Sequence, residues 1–118
     1  MTNTPLQALV LLNDPAYVEA SRALAERTLR NGGKSDGARI DFAFKLATAR
    51  TPDQQERAVL LSSLREFRSV YRQDQANASK LLSVGETKPD SRLGPGELAA
   101  WTTVAGMILN LDETITKQ

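Results

Sequence analysis

The sequence contains neither cysteine nor histidine among its 118 residues. Without cysteine, the chain cannot form disulfides, thiolate nucleophiles, Cys-type zinc sites or the covalent attachment of c-type haem. Without histidine, it cannot carry Ser-His-Asp catalysis or a His-based zinc or iron site. Only carboxylates, lysine, tyrosine and hydroxyl groups remain for chemistry, and we expect no cofactor.

An excess of charge of one sign is also missing, since 15 basic residues stand against 14 acidic ones and the net charge is +1. No large field therefore draws nucleic acid or an anionic bilayer to the whole molecule. No apolar run approaches the roughly 20 residues that a membrane helix needs. The run at residues 6–12 also fails as a signal peptide, because no Lys or Arg precedes it. We expect neither nucleic-acid binding nor membrane insertion.

What is present is the composition of an ordinary globular chain, with 41% apolar and 25% charged residues. A chain of this length forms one domain and buries roughly two-thirds of its surface on folding. No alternating strand pattern extends beyond a few residues. The sequence predicts an all-α fold, a compact bundle of five or six helices with a central C-terminal helix, as a single helical domain over residues 1–118.

Helix starts are marked by a capping residue, in most cases followed by proline at the first helical position. The predicted starts lie at residues 4–7, 14–15, 35–36, 51–54 and 94–97. Asp14 is the expected N-cap of the second helix, Ser35 or Asp36 caps the third, and Thr51 caps the fourth ahead of Pro52.

The faces of these helices predict what each one packs against. The second helix has a ladder of opposite charges that we expect to face solvent, formed by Glu19, Arg22, Glu26 and Arg30. The third helix is apolar over most of its circumference and should be deeply packed. Residues 85–94, GETKPDSRLG, should form an exposed connection. The last helix is apolar around nearly its whole girth and should be the centre of the bundle, ending near Asn110.

Three arginines recur on one face of the fourth predicted helix, at Arg65, Arg68 and Arg72. Guanidinium groups at this spacing can bind phosphate or an acidic partner, and a helical nucleic-acid binder would use them in the same way. Glu66 is close by and no aromatic residue is interleaved, so the simpler interpretation is a solvated outer face.

Two further features could carry chemistry. Asp112 and Glu113 could form a hard-cation site or an acid/base pair, but neighbouring helical residues point about 100° apart and do not converge. We interpret Asp112 as a local cap or turn former. Trp101 could stack against a ligand, but on so apolar a helix we expect it in the core.

Four stretches carry a resemblance to a known family: TNTPLQALVLLNDPAYVEASRALAER, DFAFKLATARTPDQQE, LLSVGETKPD and ELAAWTTVAGMILNLDETITK. Together they resemble the C-terminal end of the domain-of-unknown-function family 1553, found in large proteins that also carry planctomycete-type cytochrome c domains. The resemblance covers nearly the whole chain and is most specific in TNTPLQALVLLNDP and ILNLDETIT.

The resemblance implies that the chain is part of a larger multidomain protein, the parent, which is exported or periplasmic and has no determined activity. It also implies that haem is bound in separate modules of the parent. No catalytic residues are established in the family that could be assigned to this chain. In that family the TNTPLQAL motif lies inside the domain, so we expect this chain to be an excised C-terminal fragment. Its expected partners are the preceding domains of the parent, or a second copy bound through a first helix exposing Leu6, Leu9 and Val10.

We interpret the chain as a non-catalytic structural or interaction module. The alternative is half of an enzyme or ligand site that is completed by the preceding part of the parent. In that case the 85–94 loop, Trp101, Asp112 and Glu113 would contribute.

Overall fold

A computed structural model describes residues 14–116, with side chains described as far as Leu111. Within these limits the chain forms five α-helices and no strand. They are α1 (Pro15–Asn31), α2 (Asp36–Thr48), α3 (Gln54–Gln73), α4 (Gln75–Leu82) and α5 (Pro95–Thr116). The predicted all-α class is confirmed.

The helix α5 is the centre of the bundle, as its apolar girth predicts. All four other helices pack against it. Every side chain from Leu98 to Ala105 is at most 1% exposed, and so are Met107 and Ile108. The hydroxyls of Thr102 and Thr103 donate to carbonyls one turn earlier, at 2.7 and 3.0 Å, so polar groups in this apolar setting keep partners. Over these turns α5 forms the core of the bundle.

The cap predictions hold for the first two helices. Asp14 Oδ1 accepts from the amide of Ala16 at 2.9 Å, and Ser35 Oγ accepts from the amide of Ala38 at 3.1 Å. Both side chains satisfy amides that have no partner inside the helix.

The start of α3 differs from the prediction, because Asp53 and not Thr51 is its N-cap. Asp53 accepts from the amide of Glu56 at 2.7 Å, while Glu56 accepts from the amide of Asp53 at 2.9 Å. This reciprocal capping box satisfies two orphan amides at once. Arg50 then donates two 2.8 Å bonds to Glu56 and ties the connection to the helix.

The end of α5 also differs, because the backbone stays helical to Thr116 and does not stop near Asn110. Neither glycine nor proline follows Asn110, so nothing in the local sequence forces an end there. Asp112 is therefore within the helix and is not a turn former.

The packing of α2 is shallower than predicted. Only Ile40, Ala43 and Phe44 are buried, whereas Leu46 is 43% exposed. Phe42 and Ala47 are half-buried, and Ala47 packs against the edge of the core.

A pair of truncations on α2 tests this packing. Phe44→Ala should lower the free energy of unfolding by about 3 to 5 kcal/mol, because it leaves a cavity against the central helix. Leu46→Ala should cost less than about 1 kcal/mol, since its side chain already meets water. Urea unfolding followed by circular dichroism measures both, and equal costs would contradict the packing described.

Candidate functional site

The charged ladder of α1 is partly covered, which corrects the prediction for Arg22, Glu19 and Glu26, whereas Arg30 is exposed as predicted. The ladder is covered in part by residues 83–94, here called the strap, which follow α4 and lead into α5. The strap includes the predicted connection 85–94, in which residues 85–88, 91, 92 and 94 are exposed as predicted. Arg22, in contrast, is only 2% exposed.

Arg22 is the main contact between α1 and the strap. Its Nη1 donates to the carbonyl oxygens of Leu82 and Val84 at 3.0 and 2.9 Å, and its Nη2 donates to the carbonyl of Thr87. A buried guanidinium is costly unless its donors are satisfied, and here backbone carbonyls satisfy it. The backbone carbonyls of an irregular segment also need hydrogen-bond donors when they are buried. The bonds from Arg22 therefore satisfy both the guanidinium and these carbonyls.

Glu19 holds the same part of the strap through its amides. Its Oε2 accepts from the amides of Glu86 and Thr87 at 2.9 and 2.7 Å, and the bond from Thr87 is the main reason that the pKa of this carboxyl is lowered. Gly85 has φ +95°, and a Cβ placed there would come within 2.3 Å of Cγ of Glu19. Only glycine fits this turn without displacing Glu19.

The far end of the strap is held by the next turns of α1. Glu26 accepts from the amide of Asp90 at 2.8 Å, and Arg30 donates to the carboxylate of Asp90 at 2.8 Å. The pKa of Asp90 is lowered, first by the Arg92 side chain and amide and further by Arg30. Successive turns of α1 thus bind successive parts of the strap.

A second charged joint lies at Arg68, one of the three arginines singled out on α3. Arg68 donates two 2.9 Å bonds to Asp36 in the first turn of α2, and bonds of 2.9 and 2.5 Å to Glu97 in the first turn of α5. Hydrogen bonds to both carboxylates raise the pKa of Arg68, and its bond lowers that of Asp36. Burial raises the pKa of Glu97, but Arg68 and the Trp101 indole outweigh it and lower the pKa overall.

The other two arginines, Arg65 and Arg72, are exposed. Arg72 lines a cavity of about 230 Å³ beside Gln75, Ser79 and Gly96. The structure therefore places all three arginines along one side of α3, but the charge of Arg68 is already balanced by two carboxylates.

Trp101 lies in the core at 1% exposure, and its Nε1 donates to Glu97 at 3.1 Å. Glu97 also accepts a hydrogen bond from Arg68 of α3, so the indole nitrogen faces the α3 side of the bundle. The strap, in contrast, is hydrogen-bonded to α1. The side chains of Asp112 and Glu113, and the residues Leu6, Leu9 and Val10, lie outside the part of the chain whose side chains are described.

An apolar groove of about 290 Å³ runs between α3 and α5. Val59, Leu60, Met107 and Leu111 form its floor, and Asp53, Gln55 and Glu56 line its edge. Val59 is 40% exposed. We call this feature the α3–α5 groove.

Among residues 14–111, no group of three or more acidic side chains is arranged to hold a metal ion. In the same part of the chain, no helix combines the length and apolarity that crossing a membrane requires.

Replacing Arg22 tests the strap directly. Arg22→Met keeps the aliphatic stem but leaves three carbonyls without their donor, and should lower the free energy of unfolding by roughly 2 to 4 kcal/mol. Arg27→Met, on the exposed side of the same helix, should change it by less than about 0.5 kcal/mol. If denaturant titrations show the two variants to be equally stable, Arg22 does not hold the strap.

The carboxylates predict a loss of stability in acid. The Arg50 hydrogen bond lowers the pKa of Glu56 from 4.5 to about 2, and the pKa values of Glu19, Asp36, Asp90 and Glu97 are also lowered. A carboxylate with a lowered folded-state pKa stabilises the fold above its unfolded-state pKa and loses that effect as the pH falls through the folded value. Stability should therefore fall between about pH 4.5 and about pH 2.

Thermal unfolding measured at intervals across that range checks the prediction, with Glu56→Gln as the matched variant. That variant should be less stable than the parent at pH 6 and should lose less on acidification, because one of the titrating groups is gone. A melting temperature independent of pH over this range would contradict it.

Comparison with known proteins supports one assignment. A family model described as PSD1, protein of unknown function (DUF1553), matches residues 1–64, which is more than half of the chain. No curated protein and no solved structure matches significantly. The match spans the amino-terminal motif, α1, α2 and the first half of α3. The chain therefore belongs to the DUF1553 family of proteins of unknown function.

Proposed function

We propose that this chain is a non-catalytic helical module that stabilises a larger protein and offers it an interaction surface. One observation carries the proposal: among the described residues, the carboxylates whose pKa is displaced are used to join one structural element to another. Asp36 and Glu97 join three helices through Arg68, and Glu19 joins α1 to the strap. Carboxylates that exchange protons near neutral pH need a raised pKa, whereas the pKa values of these five are lowered by arginine side chains and backbone amides of the same fold.

The partner in this proposal is the preceding part of the parent chain, of which this chain is a C-terminal fragment. The parent is an exported protein associated with c-type cytochrome domains, as the resemblance of the sequence implies. Leu6, Leu9 and Val10 are the residues proposed to meet that partner, and a second copy of the chain is the other candidate. Neither role needs a cofactor.

The parent protein provides the test. Deletion of residues 14–116 should lower its melting temperature or change its assembly, measured by calorimetry and by light scattering after size exclusion. The matched control is Arg27→Gln in the intact parent, which removes an exposed charge only. Unchanged melting temperature and assembly in the deleted protein would contradict a structural role.

The alternative, in which the chain forms half of an enzyme site, can be tested by the kinetics of the same parent protein. If the parent has a measurable activity, Asp112→Asn together with Glu113→Gln should leave kcat and KM unchanged under our proposal. A loss of kcat with normal folding would favour the alternative.

A further inference from the structure

The α3–α5 groove is an apolar feature of the described side chains that neither the strap nor α4 lines. Its floor joins Val59 on α3 to Leu111 on α5, and its volume is about 290 Å³. Leu60 and Met107 are 1% exposed at its bottom, and Val59 is 40% exposed. Apolar surface left in contact with water costs free energy. The question is which segment covers it.

The position of the groove narrows the choice. The short helix α4 packs beside the start of α5, where Ser79 and Gly96 line the same cavity. Met107 and Leu111 lie three to four turns further along α5. The groove is thus in the second half of α5, away from that cavity.

The amino-terminal end of α1 lies alongside the same part of α5. Tyr17, in the first turn of α1, donates its hydroxyl proton to the carbonyl of Gly106 at 2.8 Å. Gly106 directly precedes Met107 of the groove floor. The polypeptide therefore enters α1 next to the groove.

Thirteen residues precede Asp14, and among them Leu6 and residues 8–12 are apolar. At about 3.3 Å per residue these thirteen can span roughly 43 Å, so reach is not limiting in a molecule 34 Å long. None of the thirteen has a charged side chain, so none repels Asp53 or Glu56 at the edge of the groove.

We propose that the α3–α5 groove is the docking surface of residues 6–12 of the same chain. The inference goes beyond the proposed function, since it concerns contacts within one molecule. Apolar side chains of the run that the groove does not cover remain available to a partner.

Cysteine pairs test the proposal cleanly, because the natural chain has no cysteine. In the full chain, Leu9→Cys combined with Val59→Cys should form an intramolecular disulfide under mild oxidation. The control pair is Leu9→Cys with Val70→Cys. Val70 on α3 is 44% exposed, compared with 40% for Val59, but it lies eleven residues, about 16 Å, away along the helix.

The expected result is a cross-linked monomer that forms at least about tenfold faster for the Val59 pair than for the Val70 pair, since docking raises the effective concentration of the two thiols. Peptide mapping by mass spectrometry identifies the link, and circular dichroism confirms that both variants are folded. Equal rates for the two pairs would overturn the proposal. Covalent dimers linked through the thiol introduced by Val59→Cys would overturn it as well, because the occupant would then be a second copy.

Discussion

The bundle depends on one buried guanidinium. Arg22 lies in the middle of α1 and donates to three carbonyl oxygens at the end of α4 and in the strap. A cation that leaves water needs acceptors, and an irregular segment that packs against a helix needs donors for its own carbonyls. The guanidinium and the carbonyls satisfy each other. Residues 83–94 therefore pack against α1 as a fixed part of the domain, although they form no regular helix or strand. The four other helices pack against α5, which is buried along the turns from Leu98 to Ile108.

Charge serves the same purpose elsewhere in the molecule. Arg68 connects α3 to the first turns of two other helices through Asp36 and Glu97, and the negative charge of these carboxylates is favourable at helix amino termini. Glu56 does similar work where the α2–α3 connection enters α3. A near-neutral chain with many charged residues therefore places its acids and bases against each other. Because these charges are already paired, the apolar features of the surface are best suited to contact another segment. The main one is the α3–α5 groove.

Much of this fold is predictable from the sequence because it follows from local patterns. The apolar girth of the last helix predicts its central position, and Asp14 and Ser35 are recognisable caps. The position of the strap is not predictable. Helical periodicity shows that Arg22 shares a face with Glu19 and Glu26, but it does not show which segment covers that face. Its carbonyl partners lie 60 to 65 residues away along the chain. Periodicity places Arg68 on the correct face for the same local reason, while its partners Asp36 and Glu97 are 32 and 29 residues distant. The sequence favours Thr51 over Asp53 as a cap because Pro52 fits the first helical position.

Hydrogen exchange of the strap amides tests the central claim most directly. The amides of Glu86 and Thr87 donate to Glu19, and that of Asp90 donates to Glu26. If the strap is an integral wall of the bundle, these three amides should exchange at least about tenfold more slowly than the same residues in an unstructured peptide. Exchange at unstructured rates, in a protein whose α5 amides are well protected, would show that the strap is a loose connection and would contradict this account.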